Sequence, residues 1–468
     1  MLYSIRTIII KGWSRENGYK QVFLIAFPLI LSTSSWSIQQ FVDRMFLSWY
    51  SPVALAASMP AGILSFALVA LFLGTSAYTS TFIAQYMGAN RIDRVVPSMW
   101  QGVYFAVIGG ILVGTTFFFA EPIFQFIGHE ASIQVLEITY WKFMTAGAIF
   151  PILIGAISGF FNGRGKTYPV MWASFIATGT NIILNYTFIF GHFGFPEMGI
   201  AGAGLATILS QVVTIFILVY LAVYGKQHRD FNIVARKQFE LMLFLRLIKF
   251  GLPNGIQFFI DIASFSLFIL IIGRIGLVEL AATNIVMNIS MLTFMPMIGL
   301  GIATSVLVGQ ALGSDKPYLA ERATSSGLQL SMSYTFIFAA LYLVIPDVFI
   351  YPFASNTDPT MFESIRQHAL TAFKFVAFWS VCDTLHIVIS SSLKGAGDTR
   401  FLMLTTVILS VGIFILPTYF LLEVLDKGLE AAWTVGAFYI FTTGITLLLR
   451  YIYGPWRTMR VIEVTRTR

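Results

Sequence analysis

The sequence predicts an all-α integral membrane protein in which twelve transmembrane helices form two six-helix lobes related by a parallel duplication. Three observations support this fold class. Hydrophobic residues make up 57% of the 468 residues and charged residues only 11%, against about 25% charged in soluble domains. Twelve apolar stretches are long enough to cross a bilayer. A segment of the first half of the chain also recurs in the second half.

The internal repeat relates residues 28–88 to residues 253–313 at a constant spacing of 225 positions. The identities include Pro28 and Pro253, Leu55-Ala56-Ala57 and Leu280-Ala281-Ala282, Gly74 and Gly299, Thr79-Ser80 and Thr304-Ser305, Gln85 and Gln310, and Gly88 and Gly313. Shared hydrophobicity alone does not explain this ungapped pattern. Duplicated membrane domains are typical of secondary transporters, whose halves close alternately over a site between them.

Charge-free stretches of about 20 residues, enough to cross roughly 30 Å of hydrocarbon, give the individual spans. They lie at Gln21–Val42, Gly102–Ala120, Phe143–Gly163, Thr167–Gly191, Met198–Gly225, Leu280–Ser314, Ala323–Pro346, Phe401–Leu422 and Ala431–Leu449. The uncharged stretch Met45–Asn90 is too long for one span, so it predicts a turn at Ser51-Pro52 followed by a full helix. Leu247–Gly273 and Phe375–Leu393 are spans that each carry one aspartate.

Charge asymmetry predicts the orientation and the segment boundaries. Most of the 29 Lys and Arg residues fall in the termini and in alternate loops, so both termini are expected to be cytoplasmic in a multi-pass protein of the inner (cytoplasmic) membrane. The predicted segments are an interfacial N-terminus at 1–19, an N-lobe at 20–225, a cytoplasmic linker at 226–240, a C-lobe at 241–453 and a basic cytoplasmic tail at 454–468. The net charge of +7 follows from this asymmetry and does not favour nucleic-acid binding. We expect a monomer.

Three aspartates lie within predicted spans, where a charge costs roughly 2.5–3.5 kcal/mol on insertion scales and therefore suggests function. They are Asp43 late in helix 1, Asp261 eight residues after Pro253 in helix 7, and Asp383 in helix 10. The alternative for each is a structural aspartate bonded to a polar neighbour. Asp43 also lies near the outer interface.

Other polar residues in the spans are candidates for supporting roles. His386 follows Asp383 by one turn and could share its proton. Asn288 on helix 8 and Asn181, Asn185 and Thr207 on helices 5 and 6 could offer neutral oxygens to a cation. Each could equally be an ordinary packing residue or a helix–helix hydrogen bond.

An apolar substrate cavity is a further expectation. Bulky side chains near Asp261 could line it, namely Phe258, Phe259, Met287 and Met291. Most of the other phenylalanines and methionines are expected to face lipid or to pack. The single cysteine, Cys382, excludes an internal disulfide and a cysteine-based metal site.

The chain resembles the multidrug and toxic compound extrusion (MATE) transporters, and within them the NorM-like branch, along nearly its whole length. The resemblance is carried by Val42-Asp43-Arg44-Met45-Phe46, Ala54–Ala57, Leu280–Ala282, Leu307–Gly313 and Leu393–Thr399, together with the repeat.

The resemblance implies that Asp261, Asp383 and Asn288 bind the coupling ion, and that Asp43 matches an aspartate widespread in the N-lobe of the family. The DinF-like branch pairs that aspartate with an acid at the position of Asn185, and here the acid is missing. Arg44 after Asp43 is a second departure.

We therefore expect a secondary active multidrug efflux antiporter that exports amphipathic organic cations in exchange for Na⁺ or H⁺ by alternating access. It would bind small molecules, sit in a lipid bilayer and need no cofactor beyond its coupling ion. A carboxylate in an apolar pocket suits a proton, whereas Asp261, Asp383 and Asn288 could give Na⁺ some of the oxygens it needs. The sequence does not decide between Na⁺ and H⁺ as the coupling ion.

Two other classes of function, a flippase and a membrane enzyme, are less well supported by the sequence. A lipid-linked oligosaccharide flippase of the same superfamily would line its cavity with basic residues, and only Arg274 and Lys142 are candidates. An enzyme is not expected, because a membrane enzyme needs a His/Asp or metal cluster on facing helices. Four of the five histidines lie in or near predicted loops: His129, His192, His228 and His368.

Overall fold

The structure, a computed structural model, describes residues 13–225, 231–353 and 359–463, and these residues form helices and turns with no strand among them. Twelve helices in this part of the chain are long and apolar enough to cross a membrane, which confirms the predicted number. They are α1 Tyr19–Tyr50, α2 Pro52–Gly88, α3 Ile92–Ile127, α4 Ala131–Gly163, α5 Tyr168–Phe190, α6 Ile200–Tyr224, α7 Leu241–Gly273, α8 Leu277–Gly313, α9 Pro317–Val344, α10 Pro359–Ala396, α11 Thr399–Val424 and α12 Leu429–Tyr453.

The turn predicted at Ser51-Pro52 separates α1 from α2. Ser51 is extended (φ −163°, ψ 128°), and its hydroxyl accepts a hydrogen bond from the Ala54 backbone N–H at 3.4 Å. Pro52 occupies the first helical position, where a missing N–H costs nothing. Parts of three predicted segments lie outside the described residues: 1–12 of the interfacial N-terminus, 226–230 of the linker and 464–468 of the tail.

The chain divides into two compact units that each take helices from both repeats. The N-unit comprises the described parts of Leu31–Phe259, Gly313–Asp315 and Arg460–Arg468, and the C-unit those of Met1–Ile30, Ile260–Leu312 and Lys316–Met459. The boundaries cut α1 and α7 shortly after their internal prolines, Pro28 and Pro253. The predicted lobes were drawn between helices instead, and their bounds stay predictions.

In the N-unit, the first part of α7 lies directly against α2. A Cβ atom at Gly74 would be 2.9 Å from Gly255 Cα, and one at Gly255 would be 2.0 Å from the Leu71 carbonyl oxygen. Asn254 Nδ2 donates to the Gly74 carbonyl at 2.7 Å. Only glycine allows the two backbones to approach this closely.

In the C-unit, the first part of α1 lies against α8 in the same way. A Cβ atom at Gly299 would be 2.8 Å from the Ile30 backbone nitrogen. Val22 and Ala26 are buried with Leu300 in the same hydrophobic cluster. Gly299 and Gly74 are repeat equivalents, and so are the positions of Gly255 and Ile30, each 225 residues apart. The repeated glycine therefore marks one helix contact that occurs once in each unit.

A second pair of glycines marks the ends of α4 and α10. A Cβ atom at Gly163 would lie 2.4 Å from the Ser80 carbonyl oxygen, and one at Gly395 would lie 2.5 Å from that of Ser305. Ser80 and Ser305 are repeat equivalents. The same helix packing is thus built into both units.

The last described residues of the predicted tail pack within the N-unit. Val461 and Ile462 are buried. The Val461 N–H donates to Gln85 Oε1 at 2.8 Å, and its carbonyl accepts from Arg246 Nε at 2.5 Å. Glu463 Oε2 accepts from the Tyr86 hydroxyl at 2.7 Å. This part of the tail is therefore held by specific contacts.

Charges around Glu463 favour its ionised form. Burial raises the pKa of Glu463, but the Tyr86 hydrogen bond, a backbone hydrogen bond and the charges of Arg246 and Arg94 outweigh it and hold the pKa below its ordinary value. Arg91 Nη1 also lies 3.3 Å from Glu463 Oε2. A carboxylate with a depressed pKa stabilises the fold above its unfolded pKa, and the contribution is lost as the pH falls.

The close contacts predict that Gly163→Ala and Gly395→Ala each destabilise the protein by about 1–3 kcal/mol, the usual cost of overpacking. Thermal unfolding of the detergent-purified variants measures this. Gly179→Ala in α5 is the matched control, because no atom lies within 4 Å of a Cβ placed there. Equal midpoints for all three variants would contradict the assignment of these glycines to helix packing.

The Glu463 contacts predict a pH-dependent effect of Glu463→Gln. The variant should unfold at a lower temperature than the parent at neutral pH, by the roughly 0.2–1 kcal/mol of a partly exposed ion pair. The difference should shrink as the pH falls through the depressed pKa of Glu463, because the parent carboxylate then loses its charge. Asp93→Asn, an exposed aspartate without a salt bridge among the described residues, is the control. A difference that persists at acidic pH would point to packing and not to charge.

Candidate functional site

The N-unit brings three of the predicted polar residues together in a group we call the Asp43 centre. Asp43 of α1 is buried, and Asn181 and Asn185 of α5 are completely buried. Asn185 Nδ2 donates both to Asp43 Oδ1 and to Asn181 Oδ1, the second at 2.9 Å. The two asparagines are one helical turn apart, so a single face of α5 presents both to α1.

The Asp43 centre retains unused hydrogen-bonding capacity. Among the described residues, Asn185 Oδ1 and Asn181 Nδ2 are buried and have no hydrogen-bond partner. Buried polar atoms are normally satisfied, so these atoms are candidates to bind a ligand or water. An amide oxygen beside a carboxylate suits a small cation or a transferable proton.

Other residues near Asp43 differ from the sequence-based expectation. Arg44 is exposed and forms no ion pair with Asp43 within 4 Å among the described residues. The Thr207 hydroxyl donates to the Ala203 carbonyl of its own helix at 3.0 Å and joins neither asparagine. Tyr140 of α4 lies within electrostatic range of Asp43. Tyr140 was not identified from the sequence, because a single tyrosine in an apolar helix has no distinguishing spacing.

The C-unit holds a second group, which we call the Asp383 centre. His386 Nδ1 lies 3.2 Å from Asp383 Oδ1, and both side chains are largely buried. This is the contact expected from their spacing of one turn on α10. Asp261 of α7 lies within electrostatic range of Asp383 and His386, and also of Lys394. The structure therefore brings the two predicted acids and the predicted histidine into one electrostatic group.

Asp261 differs from Asp43 and Asp383 in having no hydrogen-bond or salt-bridge partner among the described residues. Tyr439 of α12 lies within electrostatic range of Asp261 and Asp383. Tyr439 and Lys394 were not identified from the sequence. Lys394 directly follows the predicted span Phe375–Leu393, and the structure places it in the last turn of α10.

Asn288 forms no hydrogen bond with the described residues of the Asp383 centre. Its side chain is exposed, and its Nδ2 donates to the Asn284 carbonyl of its own helix at 2.7 Å. None of its described contacts is with Asp261 or Asp383. Among the described residues no group of three or more His, Cys, Asp or Glu side chains could hold a metal ion. The roles predicted for Asn288 and for Na⁺ at the acids stay predictions.

The four residues predicted to line a cavity belong to different units. Phe258 and Phe259 fall in the N-unit, where the Phe258 ring meets the Phe66 ring edge-on at 6.3 Å between centroids. Met287 and Met291 fall in the C-unit. Met287 packs on its aromatic core, and Met291 is exposed. Their grouping around one substrate stays a prediction.

Comparison with known proteins matches both halves of the chain. A family model described as MatE matches residues 28–187 and 253–420, so the two matched ranges begin at the repeated prolines. The chain is 28% identical over 470 aligned positions to the "Probable multidrug resistance protein NorM" of Shewanella oneidensis, covering 96% of this chain and 98% of that protein. It is 25% identical to the protein of the same description from Pasteurella multocida, covering 92% of each.

Solved structures share the fold. An outward-facing multidrug resistance MATE family transporter of the MOP superfamily superposes with a TM-score of 0.83 at 20% identity, covering 95% of this chain and 97% of that one. A MOP superfamily transporter from Pyrococcus furiosus, described as having a binding pocket of reverse polarity, gives a TM-score of 0.80 at 20% identity over the same shares.

The Asp43 centre predicts that Asn185→Ala destabilises the protein by about 1–3 kcal/mol, because the substitution removes the donor to a buried carboxylate. Thermal unfolding of the purified variant measures the loss. Thr207→Val is the matched control, since it also removes a side-chain hydrogen-bond donor within the N-unit, but one that bonds to the Ala203 carbonyl and to no residue of the centre. Equal stabilities of the two variants would show that the Asn185–Asp43 bond contributes little.

Proposed function

We propose that this chain, which belongs to the MatE family, is a secondary active multidrug efflux antiporter that exports small organic compounds in exchange for H⁺ or Na⁺. The observation that carries the proposal is a buried set of carboxylates on membrane-spanning helices whose neighbours are amides and a histidine. The family match over both repeats and the multidrug resistance proteins at 28% and 25% identity support it.

The charge of these groups supports an organic cation as substrate. Asp43, Asp261 and Asp383 place carboxylates on helices that are long and apolar enough to cross a membrane. An amphipathic cation would gain binding free energy both from the negative charge and from the apolar side chains around it. The coupling ion and the substrate would then compete for the same carboxylates, since protonation or Na⁺ binding neutralises the charge that attracts the substrate.

The flippase alternative finds less support. Arg274 and Lys142, its two candidate basic residues, each form a salt bridge, with Glu423 at 3.2 Å and with Glu121 at 3.3 Å. A pyrophosphate group would need such cations free to bind it. No enzymatic step forms part of the proposal.

The proposed cycle follows alternating access. An ion that binds at Asp261 and Asp383 from outside displaces the substrate, and loss of that ion to the cytoplasm restores the charges for reloading. A tenfold substrate gradient requires about 1.4 kcal/mol, and one charge crossing a potential of about 100 mV supplies about 2.3 kcal/mol. Exchange of one proton for one monovalent cation is electroneutral, so a second ion, carried by a second acid, is needed to use the potential.

The proposed location is the inner membrane of a bacterium, with a monomer whose two termini are cytoplasmic. The twelve apolar helices and the bacterial sources of the relatives support a multi-pass membrane protein of this kind. The distribution of Lys and Arg supports the orientation.

The proposal predicts that Asp261→Asn and Asp383→Asn each lower ion-driven transport at least about tenfold, because an amide neither binds a proton nor attracts a cation at this site. The assay uses purified protein in liposomes preloaded with ethidium, with Na⁺ and pH gradients imposed separately. Asp426→Asn, in the exposed loop before α12, is the control. Transport by either aspartate variant at the rate of the parent would remove that residue from the mechanism.

Replacement of His386 separates proton sharing from packing in the same assay. If His386 shares a proton with Asp383, His386→Gln should change the dependence of transport on pH without loss of thermal stability. An unchanged pH profile would limit His386 to a structural role.

A further inference from the structure

Another buried carboxylate lies in the N-unit, outside the groups described above. Glu137, in the second turn of α4, is 0% exposed. Its Oε1 lies 2.7 Å from Nδ1 of His129, whose side chain is 41% exposed. Its Oε2 is buried and has no hydrogen-bond partner among the described residues. One end of this pair therefore reaches the surface, and the other ends in an unsatisfied buried oxygen.

The surroundings of Glu137 leave His129 as its acid–base partner. The adjoining part of α2, Pro52–Ala77, contains no acidic, basic or tyrosine side chain. On α6 the titratable groups are Tyr220 and Tyr224, which lie at the far end of that helix. Other charged groups at this end of the unit are occupied or exposed: Glu121 pairs with Lys142 at 3.3 Å, and Glu130 is exposed. Tyr104 lies in the first half of α3, and Arg44 is exposed on α1.

The helix geometry connects this pair with the Asp43 centre. Tyr140 follows Glu137 by three residues, so both lie on the same face of α4. Tyr140 packs with Phe46 and Leu47 of α1 in one hydrophobic cluster and lies within electrostatic range of Asp43. The titratable groups are therefore linked in sequence. His129 contacts Glu137, Glu137 shares a helix face with Tyr140, and Tyr140 interacts electrostatically with Asp43.

A permanently charged pair would be costly in this position. A buried ion pair recovers its desolvation cost only if the remaining lone pairs are hydrogen-bonded, and Glu137 Oε2 is not. A carboxyl group that takes up and releases a proton avoids that cost in its neutral form. Histidine is the side chain suited to deliver this proton, because its charge changes at physiological pH.

We propose that His129 and Glu137 form a proton-loading site that supplies the Asp43 centre from the outer side of the membrane. His129 takes a proton from water at Nε2 and gives the proton on Nδ1 to Glu137. Glu137 then passes a proton to the Tyr140 hydroxyl, which gives its own to Asp43. Glu137 and Tyr140 thereby return to their starting states, and Asp43 holds the proton. His129 is left as the Nε2–H tautomer and regains the Nδ1–H form by proton exchange with water. This inference rests on the proposed function and on the proposed orientation, which puts the α3–α4 loop outside.

The test measures efflux of ethidium from preloaded proteoliposomes as the external pH is varied between about 5 and 8, the range in which histidine titrates. Glu137→Gln and His129→Gln should slow efflux driven by external acid about tenfold, equivalent to about 1.4 kcal/mol in the barrier, and should flatten its pH dependence. Glu130→Gln, the exposed glutamate next to His129, should behave like the parent. Exchange of ethidium without any ion gradient should be unchanged in all three variants.

Several outcomes would overturn the inference. One is proton-driven efflux with the parent pH profile in both Glu137→Gln and His129→Gln. Another is an equal loss of driven efflux and gradient-free exchange, which is the result expected if the pair only holds the fold. His129 is half-exposed in a loop, so its variant tests the site even if Glu137→Gln does not fold. A parent driven by Na⁺ but not by acid would remove the proton relay and leave the antiport proposal intact, whereas a parent driven by neither ion would remove both.

Discussion

The absence of water from the hydrocarbon core is the constraint on which this structure depends. Each backbone group of α1–α12 must find its hydrogen bond within its own helix. A carboxylate placed there must be neutralised, hydrogen-bonded or reserved for a ligand. The two consequences together produce long apolar helices with a few acidic side chains at particular positions. Those positions are where chemistry can be expected.

The acidic residues fall into two groups that differ in the residue type of their partner. Acids at or near helix ends pair with arginine: Asp347 with Arg366, Asp398 with Arg450, Glu321 with Arg457 and Glu240 with Arg94. Three acids within the membrane-spanning helices, Asp43, Asp383 and Glu137, instead contact an asparagine or a histidine. Arginine stays charged and would hold an acid permanently ionised. Amides and histidine leave the charge free to change, which is what an ion-coupled transporter requires.

Close contacts between helices explain why the repeat survives at particular positions. Gly74 and Gly299 are repeated because each lies where a second backbone approaches too closely for any side chain. Ser80 and Ser305 present carbonyl oxygens to Gly163 and Gly395 in the same way. Positions that face lipid carry no such restriction, since many apolar side chains serve there equally well. The sparse identities of the repeat are therefore a record of the tight contacts.

The sequence by itself determined the class of the protein, its number of helices and the turn at Ser51-Pro52, because lipid imposes length and polarity rules that can be counted along the chain. It also placed His386 beside Asp383, since helical spacing is local. Only the tertiary structure decided that Asn185 bonds to Asp43, that Asn288 bonds to its own helix, and that the segment around Val461 packs in the N-unit. These outcomes depend on the rotation of each helix against its neighbours, which packing of many side chains sets and no single stretch of sequence encodes.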